Sequence, residues 1–244
     1  MALSSTGTIK FSQIQGEHGG ANPISMSEYY RGGAYVSNNN GSVGTGGQLN
    51  MSNFRGTVRA VYITYEIIGG GGSGGFGVDD GGSTGYGNHG AASTFSGGSY
   101  GLNLNVTANG GTAGRNGYQS RLDPRHGQGT HYGRGGYHGQ NSAGGEDAPA
   151  SSYGAGGGGG GGDSPSYNDH SGNGGEGGYA GTRHTGTVLL VPGTTIAVGI
   201  GAGGARKYGG FHGGAGAGGF ARLTKGNNVS TYSSPGSYTY TVPS

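Results

Sequence analysis

The sequence predicts a mostly irregular and β protein, in which small β elements frame a bundle of polyglycine II helices and α-helix is nearly absent. Three observations lead there. Glycine supplies 67 of 244 residues, and 54 of those lie between Gly69 and Gly219. Within that region glycine recurs every third residue, as in Gly172, Gly175, Gly178, Gly181 and in Gly210, Gly213, Gly216, Gly219. Dense apolar sequence is confined to three short stretches, Val58–Ile68, Leu102–Val106 and Val188–Ile200. Three residues per turn is the polyproline II period, and a glycine on every turn leaves one edge open to a neighbouring backbone. Such a helix has no internal hydrogen bonds, so its N–H and C=O groups must pair with adjacent segments or water. Composition of this kind also suits a disordered chain, which is the competing reading.

Along the chain, residues 1–56 form an N-terminal attachment region with a degenerate repeat. Ile9-Lys-Phe-Ser12-Gln-Ile14 is echoed by Ile24-Ser-Met-Ser27-Glu-Tyr29 and by Leu49-Asn-Met-Ser52-Asn-Phe54. The serine of each copy is placed to cap a short helical turn, and glycine ends the latter two. One reading is three turns packing their own apolar residues. The other is a docking module gripping a larger assembly through Phe11, Met26, Tyr29, Met51 and Phe54. Apolar residues here look too few and scattered for an independent domain.

Residues 57–225 form the glycine-rich domain. Its three apolar stretches read as strands, being β-branched or aromatic and bounded by glycine. Pro192-Gly193 between Val188–Val191 and Thr194–Ile200 predicts a hairpin. Loops of Tyr, His, Asn and Arg interrupt the glycine runs. This is the vocabulary of adaptable binding loops, which stack and hydrogen-bond at low entropic cost. Tyr86, His89, His126, Tyr132, Tyr137, His138, Tyr167 and His170 are the candidate receptor-contact residues; solvated turns are the alternative. Residues 226–244 form a C-terminal strand segment.

Several chemistries are disfavoured. Gly199-Ile-Gly-Ala-Gly-Gly204 spells a dinucleotide fingerprint, but the following ARKYGGFHGGAGAGG cannot form the helix it requires. His126, His131 and His138 lack any recognised ligand spacing, so no metal or cofactor is expected. No serine sits in a nucleophile elbow, and the Asp79-Asp80 and Glu146-Asp147 pairs read as solvated, so no enzyme is expected. Net charge is +2, too small to imply nucleic acid. Arg134-Gly-Gly-Tyr137 and Arg31-Gly-Gly are isolated copies of an RNA-binding pattern. There is no cysteine, no apolar stretch long enough for membrane insertion, and no secretory pattern in Met1–Lys10.

The opening repeat resembles N-terminal segments of tailed-bacteriophage structural proteins. Tyr65-Glu-Ile-Ile-Gly-Gly-Gly-Gly-Ser-Gly-Gly and Val191-Pro-Gly-Thr-Thr-Ile-Ala-Val-Gly-Ile-Gly-Ala-Gly-Gly are similar to the glycine-rich domain of phage tail proteins. Distal adhesins of T-even-like long tail fibres provide a looser parallel, a polyglycine sandwich displaying receptor-binding loops; their opening residues differ from these. The resemblance implies a virion tail protein assembled in the host cytoplasm. Its partners would be other tail proteins, a bacterial surface protein or glycan, and copies of itself, with a trimer favoured. A purely structural tail-tip component and an ice-binding polyglycine bundle are the alternatives.

Overall fold

The computed structural model describes residues 2–23, 25–77, 85–115, 127–130, 145–160, 175–208 and 211–243. Among the described residues, eight strands form two four-stranded antiparallel sheets, and helix is limited to α1 (Phe11–His18) and two single 3-10 turns, Met26–Tyr29 and Met51–Phe54. The strands are β1 (Val61–Ile68), β2 (Ser93–Ser99), β3 (Leu102–Ala108), β4 (Arg183–Leu190), β5 (Thr195–Ile200), β6 (Phe220–Lys225), β7 (Asn228–Tyr232) and β8 (Gly236–Thr241). One sheet runs β4-β1-β6-β7 and the other β3-β2-β5-β8. The C-terminal segment therefore supplies an edge strand to each sheet, β7 to the first and β8 to the second.

Alternation in the strands explains how the sheets meet. Ile63 and Ile67 of β1, Phe95 of β2, Leu104 of β3, Leu190 of β4, Ile196 and Val198 of β5 and Leu223 of β6 share one core. Tyr65 crosses it edge-to-face with Phe95, their ring centres 6.0 Å apart. Burying each large aliphatic side chain contributes about 1.5–3 kcal/mol. On the opposite face of β1, Glu66 is 3% exposed and bridges Arg183 of β4 at 2.6 Å and Arg222 of β6 at 2.8 Å.

The expected hairpin across Pro192-Gly193 does not form. β4 and β5 lie in different sheets, so the turn carries the chain from one layer to the other. Thr194 N–H closes the turn on Val191 O at 3.2 Å, but Gly193 N–H donates to Val242 O and Val242 N–H donates to Thr194 O. The residue after β8 thus takes Thr194 O, which in a hairpin would accept from Val191 N–H, and the turn's Gly193 N–H as well. The apolar faces of β4 and β5 meet across the core instead of lying side by side.

The glycine-rich segments continue directly from the strands. β1 runs into 69–77, β3 into 109–115 and β5 into 201–204; segments 85–92, 175–182 and 211–219 run into β2, β4 and β6. Segment 69–77 is the axis, and its nine N–H groups donate in rotation. Gly69, Gly72 and Gly75 donate to Thr182, Tyr179 and Glu176; Gly70, Ser73 and Phe76 donate to Ala91, Asn88 and Gly85. Gly71, Gly74 and Gly77 donate to Ala217, Gly214 and Phe211, and all nine bonds measure 2.8–3.2 Å. The carbonyls face three further neighbours: Gly70 and Ser73 accept from Gly111 and Gly114, Gly72 and Gly75 from Gly157 and Gly160, and Gly71 from Gly204. One segment is therefore bonded to six others, with a sequence period of three.

Glycine is required by this spacing. A Cβ on Gly71 would lie 2.0 Å from Ala155 O, and one on Gly74 would lie 2.0 Å from Gly158 O. Ser73, one of two exceptions in the axial run with Phe76, is fully buried and its Oγ accepts from Asn88 N–H at 2.7 Å. Where strands pass into glycine segments, Ser93 Oγ donates to Ile68 O at 2.7 Å and accepts from Gly201 N–H at 3.0 Å. That hydroxyl ties the ends of β1, β2 and β5 together.

The N-terminal repeat folds as a short α-helix, α1, and two 3-10 turns around a core of its own. Ile9, Ile14, Tyr29, Val36, Val43 and Phe54 are buried together, with Phe11, Met26 and Met51 packed against them. The apolar residues are thus gathered, contrary to their scattered look in the sequence. The serines expected as caps, Ser12, Ser27 and Ser52, sit inside the turns. The caps are Lys10, Ser25 and Asn50, two positions earlier, all with extended backbone. The apolar residue following each cap must enter the turn for the last residue of the repeat (Ile14, Tyr29 or Phe54) to reach the core. Side chains then answer backbone donors: Ser25 Oγ accepts from Ser27 N–H, and Lys10 and Asn50 N–H donate to Gln13 and Asn53.

Candidate functional site

The bundle has a strand end and a remote end, and bond positions assign each glycine segment to them. Gly77, Gly85, Arg115, Gly160, Gly175 and Phe211 all lie remote from the sheets, because their partners are the last residues of the axial segment or the neighbours of those residues. In the sequence, 78–84 connects Gly77 with Gly85 and 161–174 connects Gly160 with Gly175, all four of them at this end.

Of the eight candidate contact residues, two are described. Tyr86 is 61% exposed near the remote end. His89 is exposed midway along its segment, and its Nδ1 accepts from Ala113 N–H at 3.2 Å. His126, Tyr132, Tyr137, His138, Tyr167 and His170 lie outside the described residues. His126 and the pair Tyr167 and His170 belong to segments that leave Arg115 and Gly160 respectively. Tyr132, Tyr137 and His138 belong to a segment running from Thr130, beside Tyr153, to Gly145, beside His212.

The remote end also carries a cluster that sequence reasoning missed. Arg206 pairs with Asp147 at 2.9 Å and its Nη1 donates to His212 Nε2 at 3.4 Å. Asp147 Oδ1 also accepts from Ala215 N–H at 2.6 Å, which fixes the carboxylate to a glycine segment. Tyr208, 78% exposed, stands edge-on to His212. The signal was available: Arg206-Lys-Tyr208-Gly-Gly-Phe-His212 mixes Arg, Tyr and His with glycine, as the other loops do.

The five residues read as docking contacts occupy the interior of the N-terminal module. Tyr29 and Phe54 are fully buried edge-to-face partners, and Tyr29 Oη donates to Gly19 O at 2.7 Å. Phe11, Met26 and Met51 are half-buried around them. The structure thus brings all five together, as the packing that shapes the module. His18 is buried beside Phe54, its Nε2 3.0 Å from Thr57 Oγ1, and burial lowers its pKa below the usual histidine value. Asn40 links this module to the stretch leading into β1 by accepting from Val58 N–H and donating to Val58 O, both at 2.9 Å.

Among the described residues no three His, Cys, Asp or Glu side chains gather as a metal site, and no helix is long and apolar enough to cross a membrane. No protein-family model matches the sequence, and neither a curated protein nor a solved structure matches it.

Proposed function

We propose that the glycine-rich segments form a bundle of polyglycine II helices, and that this bundle is a stiff stalk presenting recognition loops at the tail tip or tail-fibre tip of a bacteriophage. The observation that carries the scaffold is the rotation of the nine axial N–H groups among three neighbours. A three-fold helix directs successive amides about 120° apart, which a pleated strand does not. The reading of function rests on which residues share the remote end. Tyr86, Tyr208, Arg206 and His212 lie in that half of the bundle, and the segment bearing Tyr167 and His170 joins Gly160 to Gly175 there, whereas His126 precedes Gly127, which packs on Gly156 nearer the strand end. Loops held at fixed ends lose little entropy on binding, so modest polar contacts suffice for recognition. The receptor would be a bacterial surface protein or glycan, and the N-terminal module would join the protein to other tail proteins, as a homo-oligomer.

The test has two arms. Antibody labelling of particles by electron microscopy should place the protein at the distal tail. Joint replacement of Tyr132, Tyr137 and Tyr167 by alanine should abolish adsorption to host cells while particles still assemble. A capsid label, or no label, rejects the virion assignment. Unchanged adsorption would leave a purely structural tail component.

One observation favours the ice-binding alternative. The outer face of the second sheet carries Thr94, Ser96, Thr107, Ala197, Thr239 and Thr241, small and uncharged and paired across strands, with Asn103 and Asn105 on its β3 edge. A thermal-hysteresis assay separates that reading from receptor binding.

A further inference from the structure

A cleft of about 500 Å³ opens where the N-terminal module meets the start of β1, far in sequence from the glycine loops. It is lined by the loop after α1, the loop 32–38 and residues 59–62. Its volume falls within the range of small-molecule sites. Four polar side chains line it with unspent hydrogen-bonding capacity: the hydroxyls of Tyr35 and Tyr62, the Asn38 amide and the Arg59 guanidinium bond no described residue. Tyr62 is 62% exposed at the rim, with its ring open to a ligand face. Asn38 is seated against Gly32, where a Cβ would lie 2.7 Å from its Oδ1. Only glycine lets the amide rest there, and Gly32 also has a φ of +80° that suits glycine.

Among the described residues, Arg59 is the one formally charged side chain that lines the cleft. His18 lines the floor, and its burial disfavours the protonated form. No acidic side chain lines it, and the nearby Glu17 carboxylate is turned onto Arg59 N–H at 2.9 Å. Arg59 is therefore the lining group that can meet an anion directly, with Glu17 engaged behind it at the backbone. Guanidinium recognises carboxylate through two parallel N–H bonds, and an exposed aromatic ring supplies a flat apolar platform. A planar amide and two phenolic hydroxyls beside them match the many hydroxyls of a sugar, whereas a wholly apolar ligand would leave them unpaired.

We infer that this cleft is a binding site for an acidic saccharide, with Arg59 on the sugar carboxylate, Tyr62 under the ring, and Tyr35 and Asn38 on its hydroxyls. The site is separate from the remote-end loops and does not require that the protein belong to a virion.

The experiment uses the full chain. Binding is measured by calorimetry to trigalacturonate, a hyaluronan tetrasaccharide and 3′-sialyllactose, with maltotriose and chitotriose as neutral probes. Saturable binding to at least one acidic probe is expected, with the neutral probes weaker. Arg59→Gln should weaken it about tenfold or more, the loss of one charge-assisted bond, and Arg59→Lys should restore part. Tyr62→Ala should weaken it independently, and both side chains are exposed, so melting temperatures should hold. The inference is overturned if no acidic probe binds, if neutral probes bind as tightly, or if Arg59→Gln and Tyr62→Ala bind like the wild type. Any of those results leaves the tail-tip reading standing, because the triple tyrosine replacement tests other residues.

Discussion

Gly213 and Gly46 are chemically identical and structurally opposite. A Cβ at Gly213 would lie 2.1 Å from Gly74 O and 2.8 Å from Gly75 O, whereas one at Gly46 would meet nothing within 4 Å. The obstructing atoms at Gly213 are backbone and cannot rotate away. Accommodating a side chain there means separating two segments and unpairing groups such as Gly74 N–H, which donates to Gly214 O at 2.9 Å. Each buried orphan costs about 1–3 kcal/mol. Gly213→Val should therefore remove several kcal/mol or prevent folding, as should Gly175→Val, whose Cβ would lie 2.2 Å from Gly75 O. Gly46→Ala should stay within about 0.5 kcal/mol of the wild type. Denaturant unfolding of the three variants decides it; equal effects at Gly213 and Gly46 would mean that backbone contact does not govern the glycine requirement.

At the scale of elements, β1 is the strand on which the rest depend. It pairs with β4 over eight residues and with β6 over five, presents Ile63 and Ile67 to the core, and continues as the axial glycine segment. Glu66 fastens its outer face to both neighbours through Arg183 and Arg222, whose side chains are 42% and 46% exposed. Losing the carboxylate removes two charge-assisted bonds and leaves two guanidinium groups facing each other. Because those groups reach water, the penalty is smaller than for a fully buried pair. Glu66→Ala should destabilise the sheets by about 2 kcal/mol, in the range of one or two such bonds. Glu66→Gln should recover part of that loss by keeping an acceptor. Melting curves of the two variants check the order, and a Glu66→Ala protein as stable as the wild type would show the cluster to be energetically idle.

For the whole molecule, two apolar cores and one polar bundle divide the labour. The N-terminal cluster and the inter-sheet cluster share no residues. Among the described residues, the apolar packing beside the glycine segments is small, an alanine cluster of Ala148, Ala155 and Ala217 and the stacked rings of Tyr153 and Phe220. The cohesion of the glycine segments therefore rests on backbone hydrogen bonds and close approach, and the sheets anchor six of them at one end. Deleting residues 1–56 should leave the sheets and glycine segments folded, seen as retained β signal by circular dichroism. The same deletion should abolish incorporation into particles if the module is the attachment region. Normal incorporation of the truncated chain would refute that role.

The glycine period and the three apolar stretches by themselves determined that the chain would be a β and glycine-backbone protein with almost no helix. Local spacing sufficed, because a third-residue glycine repeat and β-branched runs restrict the backbone wherever they occur. The repeat in residues 1–56 was legible too, its second and third copies as single turns, though its first copy extends into the eight-residue α1. Its caps were misplaced by two residues, since only the core shows which side chain must point inward. Strand β2 (STFSGGS) and strand β6 went unread because glycine, serine and charge mask their alternation, which is clear only against β5 and β1. The Pro192-Gly193 turn reverses the chain in either case. Whether its arms pair or cross between sheets depended on which segment claimed the turn's amide and carbonyl groups, and Val242 after β8, more than forty residues later, did so. The cleft at Arg59 and the cluster at Arg206 likewise joined residues distant in sequence. Sequence spacing carries the local geometry of each segment, but long-range hydrogen bonds and the shared core choose its neighbours, and only the tertiary structure decides those.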